Sequence, residues 1–326
     1  MRLGSPLPDR EGVEPSRRRL LSGFAFAAFT TGACVLLAKR LTGTSWPLER
    51  ANVPLVAGAG ALYFSSYVLR ALGWQKLFPA GARPARATCL AACGAAAASG
   101  VVLPFRLDYL VKIGTLRRMR GVKLGLEAIA LSIVSLGMVD AVAFLPVSIS
   151  ATATTTSAFR IPLLLVVLFG LGACGVLVAG RHIVRLPFIA RRARLASLAR
   201  RAAEHATGKP REAVIAWAFL VGCWSSRAFG STLLLAALGV GFSPNLALVV
   251  LCLSAAASLI PVASGGAVAN VGATAAILLA LGVHKQQAIN FGLASGLLLC
   301  TTAAFAAAAG VGASLVARRR VAGSLA

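Results

Sequence analysis

Apolar stretches of about 20 uncharged residues recur along this chain, and short basic segments punctuate them. Twenty residues of α-helix rise roughly 30 Å, the thickness of a bilayer's hydrocarbon core. No soluble architecture needs that repeat. The 326 residues are 58% hydrophobic and 13% charged, where a soluble domain is roughly a quarter charged. The charges are too few to cover a globular surface, and they are segregated between the apolar stretches. The chain is therefore expected to be an all-α, polytopic transmembrane helical bundle.

The charge balance points the same way. Lys and Arg number 33 against 9 Asp and Glu, a formal net charge of +24. In a soluble protein such a balance fits nucleic acid. Here the basic residues sit at the ends of apolar segments, as cytoplasmic loops do under the positive-inside rule, so no nucleic-acid partner is expected. The Arg- and Ala-rich, Lys-poor usage is that of a high-GC bacterial chain, which places it in a bacterial cytoplasmic membrane. Of the seven cysteines, Cys34, Cys174, Cys223, Cys252 and Cys300 lie inside apolar runs, where Cys is a small hydrophobe. Cys89 and Cys93 are four apart, but no His or carboxylate lies beside them, so neither a metal site nor a disulfide framework is expected.

Residues 1–19 form a polar cytoplasmic tail ending in Arg17-Arg18-Arg19. With Leu20 and Leu21 this superficially looks like a twin-arginine export signal. The apolar stretch Leu20 to Ala38 is long enough to span and more spans follow, so a first transmembrane helix is expected instead. A second span runs from about Ala51 to Leu72, with Arg70 placed to snorkel to the headgroups and Trp74 at the interface. Residues 87–104 are apolar but rich in Ala and Gly, and a strongly basic stretch follows them. A full span there would put those bases outside, so a re-entrant hairpin returning to the cytoplasmic side is expected.

Further spans are expected at Leu124–Val147, Ile161–Gly180, Ala213–Gly239 and Ala288–Ala317, with an uncharged outer loop at Ser148–Phe159. The cytoplasmic segment Arg181–Arg211 carries nine basic residues against Glu204, and reads as an amphipathic helix on anionic headgroups. Leu246–Val262 and Ala267–Leu281 are broken by Pro261 and Gly265-Gly266, and fit either two short spans or one re-entrant hairpin. The total is about eight spans plus one or two re-entrant helices over residues 20–317. Arg318-Arg319-Arg320 hold a cytoplasmic tail, 318–326, on the same side as the N-terminus. No soluble domain remains.

An ionisable residue inside a bilayer is expensive, so each is a suspect for function. Asp140 lies deep in its span and Arg227 near the middle of its own, which makes them natural partners. Glu127 and Asp140 stand about 220° apart around a straight helix and form no carboxylate pair. Asp108 follows Leu103-Pro104-Phe105-Arg106, and Lys112 comes one turn later. The break from Pro261 to Gly266 frees backbone groups at membrane depth, and a helix starting after Gly266 would aim its positive end at the break. Interrupted helices at corresponding places in two halves point to transporter binding sites, and the first-half counterpart is Ser99-Gly100 through Pro104. Gly292 and Gly296 mark a small-residue packing face. His182, His205 and His284 are isolated. With no nucleophile–base grouping and no phosphate-binding loop, neither an enzyme nor a cofactor is expected.

A resemblance now becomes visible. Arg70-Ala71-Leu72-Gly73-Trp74 closes the second span, Leu103-Pro104-Phe105-Arg106 precedes a basic amphipathic stretch, and a span motif ends at Asp140. Pro261 to Gly266 follows, then Leu281-Gly282-Val283 and a final helix. From about residue 20 to 317 the chain resembles the lysylphosphatidylglycerol synthase transmembrane region, a flippase-like integral membrane family. The resemblance implies eight spans with re-entrant helices around a cavity, and lipid translocation. It does not imply lipid synthesis, because the family's aminoacyl-transferring domain is separate and absent here. Family members often carry Glu-Arg where this chain reads Leu136-Gly137, and an acid after the Gly-Gly pair where it reads Ala267-Val268-Ala269-Asn270. Arg106 is followed by Leu107-Asp108 without the usual Gly.

The function expected is translocation of an anionic lipid or lipid-linked headgroup between leaflets. Its site would be drawn from Arg106, Asp108, Lys112, Asp140, Arg227, Pro261, Gly265, Gly266 and Asn270. The alternative is a non-transporting scaffold that recruits a partner enzyme through its basic loop. Membrane lipids are the expected partners, with a homo-oligomer or partner enzyme also open. A cavity lined by Asp140 and Arg227 would favour transport, and a solidly packed interior the scaffold.

Overall fold

The computed structural model describes residues 36, 39–40, 46–100, 107–119, 124–155, 157–183, 210–257 and 266–323. The expected first span apart from Leu36, residues 184–209 of the basic segment and the break at 258–265 lie outside them. Every regular element among the described residues is helical. In chain order these are α1 (Val53–Lys76), α2 (Arg86–Gly100), α3 (Asp108–Arg118), α4 (Leu126–Ala143), α5 (Leu145–Thr154), α6 (Ser157–Ile183), α7 (Pro210–Ala237), α8 (Pro244–Ala257), α9 (Gly266–Ala280) and α10 (Lys285–Gly323).

Among the described residues, five stretches are long and apolar enough to cross a membrane: Val53–Lys76, Leu126–Thr154, Phe159–Ala179, Pro210–Ala237 and Lys285–Ala317. On α6 the bulky apolar side chains Ile161, Leu165, Leu168, Phe169 and Val178 are exposed, as expected where the outer solvent is lipid. The two intervening pairs are shorter. α8 and α9 have 14 and 15 residues, a rise of roughly 21–23 Å each, less than a bilayer.

Helix ends follow local rules. Asn52 caps α1 by accepting a hydrogen bond from the Leu55 amide at 3.3 Å, with Pro54 in the first turn. Beyond the C-termini of α7 and α9, Gly239 (φ +77°) and Gly282 (φ +83°) turn left-handed. The Val240 amide then reaches the Leu235 carbonyl and the Val283 amide the Leu278 carbonyl, both at the spacing of a Schellman cap. Gly282→Ala is expected to cost about 1 kcal/mol, because a Cβ is disfavoured at that φ. Gly272→Ala, on α9 with nothing within 4 Å of its new methyl, is expected to stabilise by a similar amount. Thermal unfolding of the detergent-solubilised protein should show opposite shifts.

The expected outer loop at 148–159 is a correction. α4 runs on through Phe144 into α5 and reaches Thr154, and α6 begins at Ser157. The Ser and Thr residues that read as loop are bonded back along the helix. Ser148 Oγ donates to the Leu145 carbonyl, Ser150 Oγ to Pro146, Thr152 Oγ1 to Ser148 and Thr154 Oγ1 to Ser150. With their hydroxyls satisfied this way, such residues sit in an apolar helix without needing water.

Two pairs of helices form the frame, and small residues set both. α1 and α7 lie antiparallel along most of their length. A Cβ added to Gly58 would meet Leu233, one on Gly230 would meet Tyr63 and Ala59, and one on Gly73 would meet Ala216 and Leu220. α2 and α10 are closer still. A Cβ on Gly94 would fall 2.4 Å from the Ala307 backbone nitrogen, and one on Gly310 would fall 2.5 Å from that of Ala91. This contact explains the Ala- and Gly-rich composition of 87–100: those residues need little bulk because they lie backbone to backbone on α10. A methyl on Gly292 would sit 2.8 Å from the Val271 carbonyl, so the Gly292/Gly296 face packs on α9 as expected.

The expected hairpin at 87–104 takes a different form. Its first leg is the single helix α2, and the chain returns as α3, which packs against it. The end of α2 lies close to the start of α3: a methyl on Gly100 would lie 3.5 Å from Asp108 Cβ.

Candidate functional site

The site grows from a polar stripe on α1. Tyr63, Ser66, Tyr67, Arg70 and Trp74 recur at intervals of three or four residues, which puts them on one face of the helix. That face turns inward. Tyr63, Ser66, Tyr67 and Trp74 are buried. A buried hydroxyl, indole or guanidinium needs a partner, and each finds one on another helix or its own backbone.

Arg70 Nη2 donates to Asp140 Oδ2 at 2.6 Å, joining α1 to α4. The other Asp140 oxygen, Oδ1, accepts from Trp224 Nε1 of α7 at 3.0 Å. One carboxylate thus ties three helices. Two turns earlier on α4, Ser132 Oγ accepts from Trp74 Nε1 at 3.1 Å and donates to the Ile129 carbonyl at 2.7 Å. Arg227 lies one turn beyond Trp224. Its Nε donates to Ser66 Oγ at 3.2 Å, and its guanidinium carbon lies 5.4 Å from the Tyr67 ring centroid and 5.3 Å from that of Trp224. Lys112 of α3 is buried with its ammonium 4.2 Å from the Trp74 ring centroid. Burial pushes that ammonium below the usual lysine range. Its charged form therefore gains more from an anion than a solvated lysine would.

Two cavities flank this cluster. The larger, about 660 Å³, is lined by Arg70, Lys112, Asp140 and Arg227 with Tyr109 and Trp224. The smaller, about 340 Å³, is lined by hydroxyls and by Arg227 and Trp224. Trp224, Arg227 and Ala255 belong to both, so Arg227 stands on the boundary. Both volumes are in the range of small-molecule sites. Across the described lining, three cations face one carboxylate. That carboxylate is already engaged by Arg70, so the cavities carry excess positive charge inside an apolar bundle.

The structure places Lys112, Asp140 and Arg227 around one cavity. The expected Asp140–Arg227 pair is a correction. The antiparallel packing of α1 on α7 sets Arg227 against Ser66, and Arg70 takes the carboxylate instead. Arg70 therefore does not snorkel, and Trp74 is no interfacial indole but fully buried. Asp108 opens α3, where its charge suits the positive end of the helix, and it does not line either cavity. Arg106, Pro261 and Gly265 lie outside the described residues. Gly266 begins α9 and Asn270 follows in its second turn. Most of the two expected interrupted segments, 101–104 and 258–265, lies outside the described residues; beside them, Ala97 and Gly100 of α2 and Val271 and Thr274 of α9 line the smaller cavity.

Sequence reasoning missed Arg70 and Trp224 as site residues. The signal was there: five hydrogen-bonding side chains at helical spacing on α1, and Trp224, Arg227 and Ser231 at the same spacing on α7. A second ionic group lies apart from the cavities. Glu212, in the first turn of α7, pairs with Lys76 Nζ at 3.3 Å and Arg83 Nη2 at 3.1 Å. It ties the end of α1 and the turn after it to the start of α7.

No curated protein and no solved structure matches the chain. The family described as the lysylphosphatidylglycerol synthase TM region matches residues 20–309, which include every described element of the site. With its apolar membrane-length helices and its internal cavities, this integral membrane protein belongs to the lysylphosphatidylglycerol synthase TM region family.

Proposed function

We propose that the protein moves an anionic lipid or lipid-linked headgroup between the leaflets of a bacterial cytoplasmic membrane, with both termini on the cytoplasmic side. One observation carries this reading: three cations and one carboxylate line two adjoining cavities among apolar helices. Cations taken out of water are costly unless compensated. An anionic headgroup supplies the compensation, while its acyl chains stay in lipid. Arg227 is the central residue. Among the described residues its guanidinium has one hydrogen-bond acceptor, Ser66 Oγ, which leaves its terminal nitrogens to meet a phosphate as a fork. The scaffold alternative rests on the basic segment 181–211, most of which lies outside the described residues, and gives no role to the cavities.

The test is lipid scrambling by purified protein in vesicles containing tail-labelled phosphatidylglycerol, read by quenching of the outer leaflet. Wild-type protein is expected to expose the inner-leaflet label. Arg227→Ala is expected to slow exposure about tenfold or more, the equivalent of one charge-assisted hydrogen bond. Arg227→Lys, which keeps the charge but loses the fork, should fall between them. Wild-type rates in Arg227→Ala would remove this residue from the mechanism.

A further inference from the structure

The smaller cavity is lined differently from the larger one. Its polar lining apart from Arg227 and Trp224 consists of hydroxyls, contributed by Tyr63, Tyr67, Ser231, Ser254, Thr274 and Ser295. Two of these are occupied as donors: Tyr67 Oη donates to the Leu299 carbonyl at 3.1 Å and Ser295 Oγ to the Gly292 carbonyl at 3.0 Å. The other four form two pairs. Tyr63 Oη lies 3.1 Å from Ser231 Oγ, and Ser254 Oγ lies 3.2 Å from Thr274 Oγ1. Within each pair one proton makes the mutual bond, and among the described residues the second hydroxyl's proton has no other acceptor. Each pair also has lone pairs to spare. The cavity thus presents both donors and acceptors at two separate points, α1–α7 on one side and α8–α9 on the other. Groups that both donate and accept are what a hydroxyl needs, and a leftover buried donor is unfavourable until something accepts from it.

The same geometry disfavours an amine. An ammonium entering these cavities would be best compensated by an anionic acceptor. Among their described lining residues the carboxylate is Asp140, whose two oxygens already accept from Arg70 and Trp224. Arg70, Arg227 and Lys112 would repel it.

We infer that the headgroup this site takes is a polyol or sugar phosphate without an amine, its phosphate held beside Arg227 and its hydroxyls in the smaller cavity between the Tyr63–Ser231 and Ser254–Thr274 pairs. This rests on reading the paired cavities as a headgroup site, and it names the class of headgroup.

Binding to the purified full chain in detergent separates this inference from the transport reading. Three lipid probes with the same acyl chains are compared: phosphatidylglycerol, phosphatidic acid and phosphatidylethanolamine. Phosphatidic acid carries the most negative charge, so attraction by the cations alone ranks it first. The hydroxyl pairs rank phosphatidylglycerol first, about tenfold tighter than phosphatidic acid, with phosphatidylethanolamine last. In Ser254→Ala/Thr274→Val the ratio of phosphatidylglycerol to phosphatidic acid affinity is expected to collapse toward one. Phosphatidic acid binding at least as tightly as phosphatidylglycerol to wild-type protein overturns the inference, as does equal binding of phosphatidylethanolamine. The wild-type ranking stands even if the double variant fails to fold. Soluble glycerol phosphate is the fourth probe. Should it compete as tightly as the lipid, the headgroup class holds and the lipid reading falls. A phosphatidylglycerol preference without scrambling likewise keeps the inference and overturns transport.

Discussion

Asp140→Ala is expected to be the most damaging single change in the cavity, lowering stability by roughly 3–5 kcal/mol. The carboxylate is only 13% exposed and its Arg70 partner 23%, so water does little of the screening that makes surface pairs weak. Removing it leaves Arg70, Lys112 and Arg227 facing one another with no anion, and leaves the Trp224 indole without its acceptor. Thermal unfolding of the solubilised protein should show the loss directly. Asp140→Asn keeps an acceptor for Trp224 and should be milder. Replacing both partners, Arg70→Met with Asp140→Ala, should recover part of the loss, because a buried pair removed together strands no charge. Additive losses in the double variant would show that the 2.6 Å contact is not a coupled pair.

Gly94→Leu is the second large effect expected, about 3 kcal/mol or loss of folded protein altogether. Even a methyl there would fall 2.4 Å from one backbone nitrogen and 2.6 Å from the Ala303 carbonyl of α10, and backbone cannot rotate away as a side chain can. Gly310→Leu should do the same from the other side. Gly312→Leu is the control, two residues along α10, where nothing lies within 4 Å of an added Cβ. Retention of a single sharp elution peak on heating should separate the first two variants from the third. Equal tolerance of all three would mean that α2 and α10 are not in close contact.

The sequence was most informative where the physics is one-dimensional. Length, hydropathy and charge segregation locate spans, because a bilayer imposes its thickness on any helix that crosses it. The spans starting at Val53, Pro210 and Lys285 were legible for that reason. Composition failed at Ser148 to Thr154, where Ser and Thr usually mean a loop but here bond back along their own helix. Partner choice was not legible at all. Whether Asp140 meets Arg70 or Arg227 depends on the rotation of α1, α4 and α7 about their axes, which no local pattern encodes. What the sequence did carry was the α1 stripe from Tyr63 to Trp74, a helical period of hydrogen-bonding groups inside a lipid-length segment. Its meaning is that the face is buried against other polar groups, and the cavities lie along it.

The α2–α10 contact also bears on mechanics. Two backbones that touch with glycine and alanine between them have no side-chain rotamers through which to slide, and close-packed interiors do not deform smoothly. Such a seam either separates or stays fixed, so α2 and α10 behave as one beam. Elsewhere in the lining of the smaller cavity, α8 meets α9 through the Ser254–Thr274 hydroxyl bond between two short helices. One hydrogen bond between rotatable side chains is a latch by comparison. Because α9 is itself held to α10 through Gly292 and Gly296, any opening of the cavity to admit a headgroup is expected at the α8 side of that bond, with the beam and α9 as the stationary part.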